Sequence, residues 1–180
     1  MFRELLFNEF RPHAELTPQQ LDQLEHHYQA LHRWNARLNL TRINDLSEIV
    51  RFHYCESLYL GLRLPPGPLK VVDVGSGAGF PGIPVSILRP DLEVTLIESH
   101  QRKSVFLRES SNLRVLPIRA EDCKESFDWI IARAVSPNSI FPLKLAPNFA
   151  LLVSSKHSPD KLPWGENRAL MFHVEHGKIS

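Results

Sequence analysis

Val-Val-Asp-Val-Gly-Ser-Gly-Ala-Gly-Phe-Pro-Gly, residues 71–82, is an apolar run that reaches an acid and then places glycines at positions 75, 77, 79 and 82. The pattern predicts a strand running into a tight turn. Backbone comes close to a ligand there, and a Cβ would block either the positive φ of the turn or the ligand itself. The helix that follows offers free N–H groups at its start to an anionic group. Such a loop binds a nucleotide-like molecule and supplies no catalytic side chain.

Gly77, Gly79 and Gly82 also fit the G-x-G-x-x-G spacing of dinucleotide sites, and Glu98 lies about twenty residues on, where an acid grips a ribose. A dinucleotide reading is therefore open. Against it, the chain has no Tyr-x-x-x-Lys pair, and Tyr28, Tyr54 and Tyr59 all precede the loop. S-adenosylmethionine suits the residues better. Asp73 can face its amino group, the helix start after Gly82 its carboxylate, and Glu98 both ribose hydroxyls.

Working outward, 93–97 reads as a buried strand with Glu98 at its carboxyl end, where ligands bind in open α/β sheets. A helix over 99–110 carries Val105, Phe106 and Leu107 among Arg102, Lys103 and Arg108. Strands follow at 114–120, before Glu121 and Asp122, and at 127–134, which contains Arg133. The segment 149–154 is a further strand. This alternation predicts an α/β fold, a Rossmann-like sheet.

Upstream, Thr17-Pro18-Gln19-Gln20 is a capping box with proline at the first helical position. Leu21, Leu24, Tyr28, Leu31, Trp34 and Leu38 follow at helical spacing, which places Trp34 in the core. Asp45 to Glu48 caps a second helix with Ile49, Val50, His53 and Leu58 inward, and Pro65-Pro66-Gly67-Pro68 breaks the chain. The expected division is an N-terminal helical attachment over 1–64 and a Rossmann-like core over 65–180, together one compact domain. A chain of 180 residues with 43% apolar content buries one good core, hardly two.

The formal net charge of +1 excludes binding of nucleic acid by general attraction, so an RNA surface must be local. Arg33, Arg37, Arg42 and Arg51 form one candidate patch, and Arg102, Lys103 and Arg108 another. No apolar run approaches the roughly twenty residues that span a bilayer, and the N-terminus lacks a secretory signal. Cys55 and Cys123 lie far apart and outside redox motifs, as suits a reducing compartment. A cytoplasmic monomer is expected. Among nine histidines, His26 and His27 diverge on a helix, and His173 with His176 has the wrong spacing for a zinc motif, so no metal is expected.

What is missing narrows the chemistry. Methylation of exocyclic amines generally uses an Asp/Asn-Pro-Pro-aromatic cradle, but residues 132–137 read Ala-Arg-Ala-Val-Ser-Pro. Cys123 has no base beside it to act as a nucleophile on a pyrimidine. Lone-pair acceptors, which need no deprotonation, remain.

Asp-Val-Gly-Ser-Gly-Ala-Gly-Phe-Pro-Gly-Ile-Pro (73–84), Leu-Ile-Glu-Ser with Arg-Lys and Phe-Leu soon after (96–107), Arg-Ala-Glu (119–121) and Ala-Arg-Ala (132–134) resemble the bacterial ribosomal small-subunit guanine-N7 methyltransferases, also called glucose-inhibited division protein B. Trp34-Asn35, Asn39-Leu40-Thr41 and His53 with Glu56-Ser57 extend the resemblance, which covers about 17–135. It implies S-adenosylmethionine as cofactor, contacted by Gly75, Phe80, Ala120, Glu121 and Arg133. Together with the residue reading, the expected cofactor set is Asp73, Gly75, Gly77, Gly79, Phe80, Glu98, Ala120, Glu121 and Arg133. Arg133 is also the expected catalytic group, and Arg102 and Lys103 the RNA contacts. The resemblance implies 16S ribosomal RNA, free or in the 30S particle, as partner. Three features depart from the family: a short connection from the helix near 110 to the strand at 114, Glu56 in place of Asp, and shortened C-terminal strands. Only 169–174 looks strand-like where the family has an antiparallel pair.

Overall fold

The computed structural model describes residues 1–175; His176 lies outside the described residues. Six strands form one sheet: β1 (Leu69–Val74), β2 (Leu92–Ile97), β3 (Arg114–Leu116), β4 (Trp129–Arg133), β5 (Asn148–Ser154) and β6 (Arg168–His173). Their order is β3-β2-β1-β4-β5-β6, with every pair parallel except β5 and β6. Two helices, α5 (Gly82–Leu88) and α6 (Gln101–Ser110), make the crossovers after β1 and β2. The chain builds outward from β1 through β3 and then returns to place β4 on the other side of β1. This reversal opens a crevice at the carboxyl ends of β1 and β4, where open α/β sheets bind ligands. The glycine loop leaves β1 at that point.

Helices α1 (Phe2–Phe10), α2 (Pro18–Leu38), α3 (Leu46–Ile49) and α4 (Glu56–Arg63) precede the sheet. The capping box at α2 is fully formed: Thr17 Oγ1 accepts the Gln20 N–H at 3.2 Å, and Gln20 Oε1 accepts the Thr17 N–H at 2.9 Å. The Asp45 side chain caps α3, its Oδ1 accepting the Glu48 N–H at 2.9 Å. Between α3 and α4 the helix does not break but widens into a π-helical stretch, Val50–Cys55. Helix α1 has no counterpart in the sequence reading, although Phe2, Leu6 and Phe10 repeat at four-residue spacing and are all buried. Phe2 stacks on Tyr28 at 4.5 Å and meets Tyr54 edge-on. One buried cluster joins Leu24, Leu31 and Tyr54 of the helices to Val71, Leu96 and Ile131 of the sheet. Trp34 packs edge-on against Phe106 of α6, as a core-side residue. The other sheet face is covered around Val72, Ile130, Phe149 and Ile140 of α7 (Pro137–Ile140).

The structure shortens β3 to three residues where 114–120 is expected, because the chain turns into a 3-10 helix at Ala120–Asp122. Strand β6 is the only antiparallel neighbour of β5 among the described residues. Its outer edge would be an open template for aggregation. Residues 158–162 cover it: Leu170 N–H donates to Asp160 O, Leu162 N–H to Arg168 O, and Ser158 Oγ to Leu170 O, at 2.7 to 2.9 Å. Among the described residues no helix is long and apolar enough to cross a membrane.

Candidate cofactor and substrate site

The four glycines divide by function. Gly75, Gly77 and Gly79 have φ of +71°, +54° and +86°. A Cβ on Gly79 would stand 2.4 Å from Ile83 Cδ1, and one on Gly82 would stand 2.4 Å from Leu96 Cδ2 and 2.6 Å from Asp73 Oδ2. Those two glycines serve the protein's own packing. A Cβ on Gly77 meets nothing nearer than Gly75 O at 3.8 Å, so the outer part of the loop leaves room for something else. Gly82→Ala should therefore destabilise the folded protein by about 1–3 kcal/mol, the usual cost of overpacking, as a lower midpoint in urea unfolding. An unchanged midpoint would contradict the packing role.

Asp73 is fully buried on β1. Its Oδ2 accepts the Gly82 N–H at 2.9 Å, and its Oδ1 has no partner among the described residues. Burial raises its pKa to about 7, opposed chiefly by the Gly82 hydrogen bond. An orphaned buried acceptor is costly until a donor reaches it. The start of α5 is less available than the sequence suggests: its first N–H is taken by Asp73, and Gly82, Ile83, Pro84 and Val85 are buried.

Glu98 stands just beyond β2. Its Oε2 accepts the Gly77 N–H and its Oε1 the His100 N–H, both at 2.8 Å. The carboxylate thus fixes the loop, and each oxygen keeps a further lone pair. A cavity of about 240 Å³ is lined by Gly75, Glu98, Ala120, Glu121, Val135 and Ile140, among others. Drug-sized ligands fill roughly 300–1,000 Å³, so this space suits one end of a cofactor. A larger cavity of about 690 Å³ lies between α2, α5 and the α6–β3 connection, beside Leu92 and Leu113 at the amino ends of β2 and β3. It does not touch the glycine loop.

Arg133, at the end of β4, faces the π-helical stretch. Its Nη1 donates to Phe52 O at 3.0 Å and to His53 Nδ1, and the guanidinium lies 4.9 Å from the centre of the Phe80 ring. No carboxylate pairs with it among the described residues, and burial lowers its pKa to about 10. It stays cationic at neutral pH, with Nε and Nη2 unengaged by these residues. Since Arg133 can only donate, His53 accepts at Nδ1 and carries its proton at Nε2, which donates to Thr41 Oγ1 at 2.7 Å. Burial first, then Arg133, lowers the His53 pKa to about 2. His53 is a neutral prop for the guanidinium.

Glu56 is held across the fold. The buried Glu56 carboxylate forms a two-pronged ion pair with Arg168 of β6, whose guanidinium also lies over Phe52. The pair ties the edge strand to the helical attachment. Arg102 is exposed and Lys103 partly so in the first turn of α6, beside its N-cap His100. Of the other basic candidates, Arg51 is paired with Glu9 of α1 at 2.6 Å. Among the described residues, no group of three His, Cys, Asp or Glu could hold a metal.

Acid pH tests this electrostatic arrangement. His27, buried under the loop, has its pKa lowered by burial to about 4. Below pH 6.5 the unfolded chain takes up protons at His27 and His53 that the folded chain refuses, so stability falls with pH. Asp73 acts oppositely, holding a proton in the fold below about pH 7 that the unfolded chain has released. Glu56, whose pKa burial also raises, acts with Asp73. In His27→Phe, where one of the two histidines is gone, the change in stability from pH 6.5 to 5.5 in urea unfolding should be about 1 kcal/mol more favourable than in the parent; an unchanged pH dependence would mean His27 is not held neutral.

The sheet order, the glycine loop at its switch point and the acid at the end of β2 define a Rossmann-like nucleotide-cofactor protein. The family model for GidB, rRNA small subunit methyltransferase G, matches residues 20–147, and the chain belongs to that family. The chain is 40% identical over 133 residues to ribosomal RNA small subunit methyltransferase G of Roseiflexus sp. (strain RS-1), covering 67% of this chain and 57% of the relative. The enzyme of that name from Chromobacterium violaceum is 39% identical over 135 residues, covering 71% and 64%. The chain thus spans only a little over half the length of several curated relatives it matches. A crystal structure of a SAM dependent methyltransferase from Aquifex aeolicus is 21% identical, with a TM-score of 0.49 over 69% of this chain and 76% of that one.

Proposed function

We propose that this chain transfers a methyl group from S-adenosylmethionine to N7 of a guanine in small-subunit ribosomal RNA, as a monomer in the cytoplasm. Family membership over 20–147, a span containing every residue of the candidate site, carries the reading. The unpartnered Asp73 Oδ1 fits the cofactor, because the amino group of a methionine moiety is the donor it lacks.

When bound, S-adenosylmethionine supplies an electrophilic methyl group on a sulfonium centre. Asp73 would hold its amino group, Glu98 its ribose, and Gly75, Ala120 and Glu121 the side of the cavity suited to adenine. Gly77, Gly79 and Phe80 shape the loop beneath it. Arg133, cationic and propped by His53 and Phe80, orients the donor or the guanine. No base is required of the protein, since N7 presents its own lone pair; positioning and exclusion of water supply the rate.

Arg102 and Lys103 would hold RNA phosphates at the edge of the crevice. Replacing both with Ala should weaken binding to small subunits and lower the slope of log affinity against log salt by roughly one to two, since each phosphate contact releases about one counterion. Affinity for S-adenosylhomocysteine should not change. Equal salt slopes would make the pair an ordinary solvated helix face.

The proposal as a whole is tested by incubating the protein and methyl-labelled donor with small ribosomal subunits. Label in the ribosomal RNA supports it. Label only in small molecules would favour a small-molecule methyltransferase, and no transfer despite cofactor binding a non-catalytic protein.

A further inference from the structure

His27 projects from α2, outside the sheet core, and is buried against the underside of the glycine loop. Its Nε2 lies 3.0 Å from Ala78 O and its Nδ1 2.9 Å from the Tyr54 hydroxyl. A carbonyl oxygen only accepts, so Nε2 carries the proton and Nδ1 accepts the hydroxyl of Tyr54. Both ring nitrogens are therefore used, and burial keeps the imidazole neutral, so this arrangement holds throughout the neutral range. The ring also meets Phe80 edge-on at 5.1 Å, and a Cβ on Gly79 would come within 3.1 Å of Nε2, so the loop rests directly on it.

Ala78 lies between two residues of positive φ, Gly77 and Gly79. Glycines make that conformation possible but do not hold it, because they lose the most freedom on ordering. Glu98 anchors the outer side of the loop through the Gly77 N–H, and His27 anchors the inner side through the Ala78 carbonyl.

We infer that His27, locked in place by Tyr54, is a positioning residue for the cofactor: it holds the Ala78 peptide, and with it the glycine loop, in the shape that receives the donor. The helical attachment, through α2 and the π-helical stretch, thereby helps build the cofactor site. The inference rests on the cofactor reading above.

Calorimetric titration with S-adenosylhomocysteine, well below the melting temperature, tests it on His27→Phe, His27→Gln and Tyr54→Phe. Phe keeps the ring packing but leaves both partners unbonded, and its Kd should rise about tenfold. Gln can donate to Ala78 O and accept from Tyr54, and should restore affinity to within about threefold of the parent. Methyl transfer by His27→Phe should show a raised KM for the donor with kcat unchanged, a split that a merely structural role would not produce. Parental affinity in folded His27→Phe would overturn the inference. Should His27→Phe fail to fold, Tyr54→Phe decides: a Kd raised severalfold supports the inference and a parental Kd overturns it. A parent that binds no S-adenosylhomocysteine would instead overturn the cofactor reading. Hydrogen exchange separates the two failures, since faster exchange in the 77–79 loop of the variants still reports the anchor.

Discussion

Gly77→Val should abolish measurable binding of S-adenosylhomocysteine while the circular dichroism spectrum stays that of the parent. Position 77 is the place in the loop where this experiment is clean. A side chain at Gly79 or Gly82 would strike Ile83 or Leu96, so loss of binding there would be confounded with loss of fold. At Gly77 the fold leaves space, and an added branched side chain projects toward that space from a backbone with φ of +54°. Valine disfavours this conformation, at a cost of about 1–3 kcal/mol, and the loop would shift its N–H away from Glu98. Strain and the blocked approach together should weaken affinity by more than about a hundredfold. Parental affinity in the folded variant would end the assignment of the loop to the cofactor.

Arg133→Met should lower the rate of methyl transfer at saturating substrates by about 10²–10³, the cost of removing one oriented charged donor from a reacting centre. Met keeps an apolar stem beside Phe80 but removes the fork of donors. Arg133→Lys should recover little, because an ammonium cannot reproduce the planar contact with Phe80 while reaching Phe52 O and His53. In the parent, the saturated rate should be nearly flat from about pH 6.5 to 8.5, since N7 needs no deprotonation and His53 is held neutral. Donor affinity should instead carry the pH dependence. Asp73, with a pKa raised to about 7, must lose its proton to meet an amino group, so KM for the donor should rise as pH falls below that value. A rising rate limb that disappears in His53→Ala would show a titrating base and argue against N7.

Much of this was legible in local pattern. The strand–glycine–helix sequence of 69–88, the capping box at Thr17 and the acid at the end of β2 each depend on neighbours in the chain, and each forms where the sequence places it. Other features depend on contacts across the fold. Asp73 reads as a ligand-facing acid, yet half of its carboxylate caps α5, because β1 and α5 pack too closely at Gly82 for anything but a backbone N–H. His26 and His27 read as a diverging pair that cannot share a metal. Only the packing of α2 against the loop separates the buried one from its neighbour. The π-helical widening at Val50–Cys55 leaves no mark in a 3.6-residue pattern, although it carries Phe52 and His53 to Arg133. Glu56 reads only as a departure from a family pattern, because its partner, Arg168, stands on a strand more than a hundred residues away.

Mass analysis of nucleosides is the most direct test of the central claim. Small ribosomal subunits from a strain lacking this activity would be incubated with the protein and S-adenosylmethionine carrying a heavy methyl group, and their RNA digested to nucleosides. The account predicts one new labelled species, 7-methylguanosine, which is absent when Gly77→Val replaces the parent. Label on another base or on an exocyclic amine, or its absence while the parent binds S-adenosylhomocysteine, would contradict it.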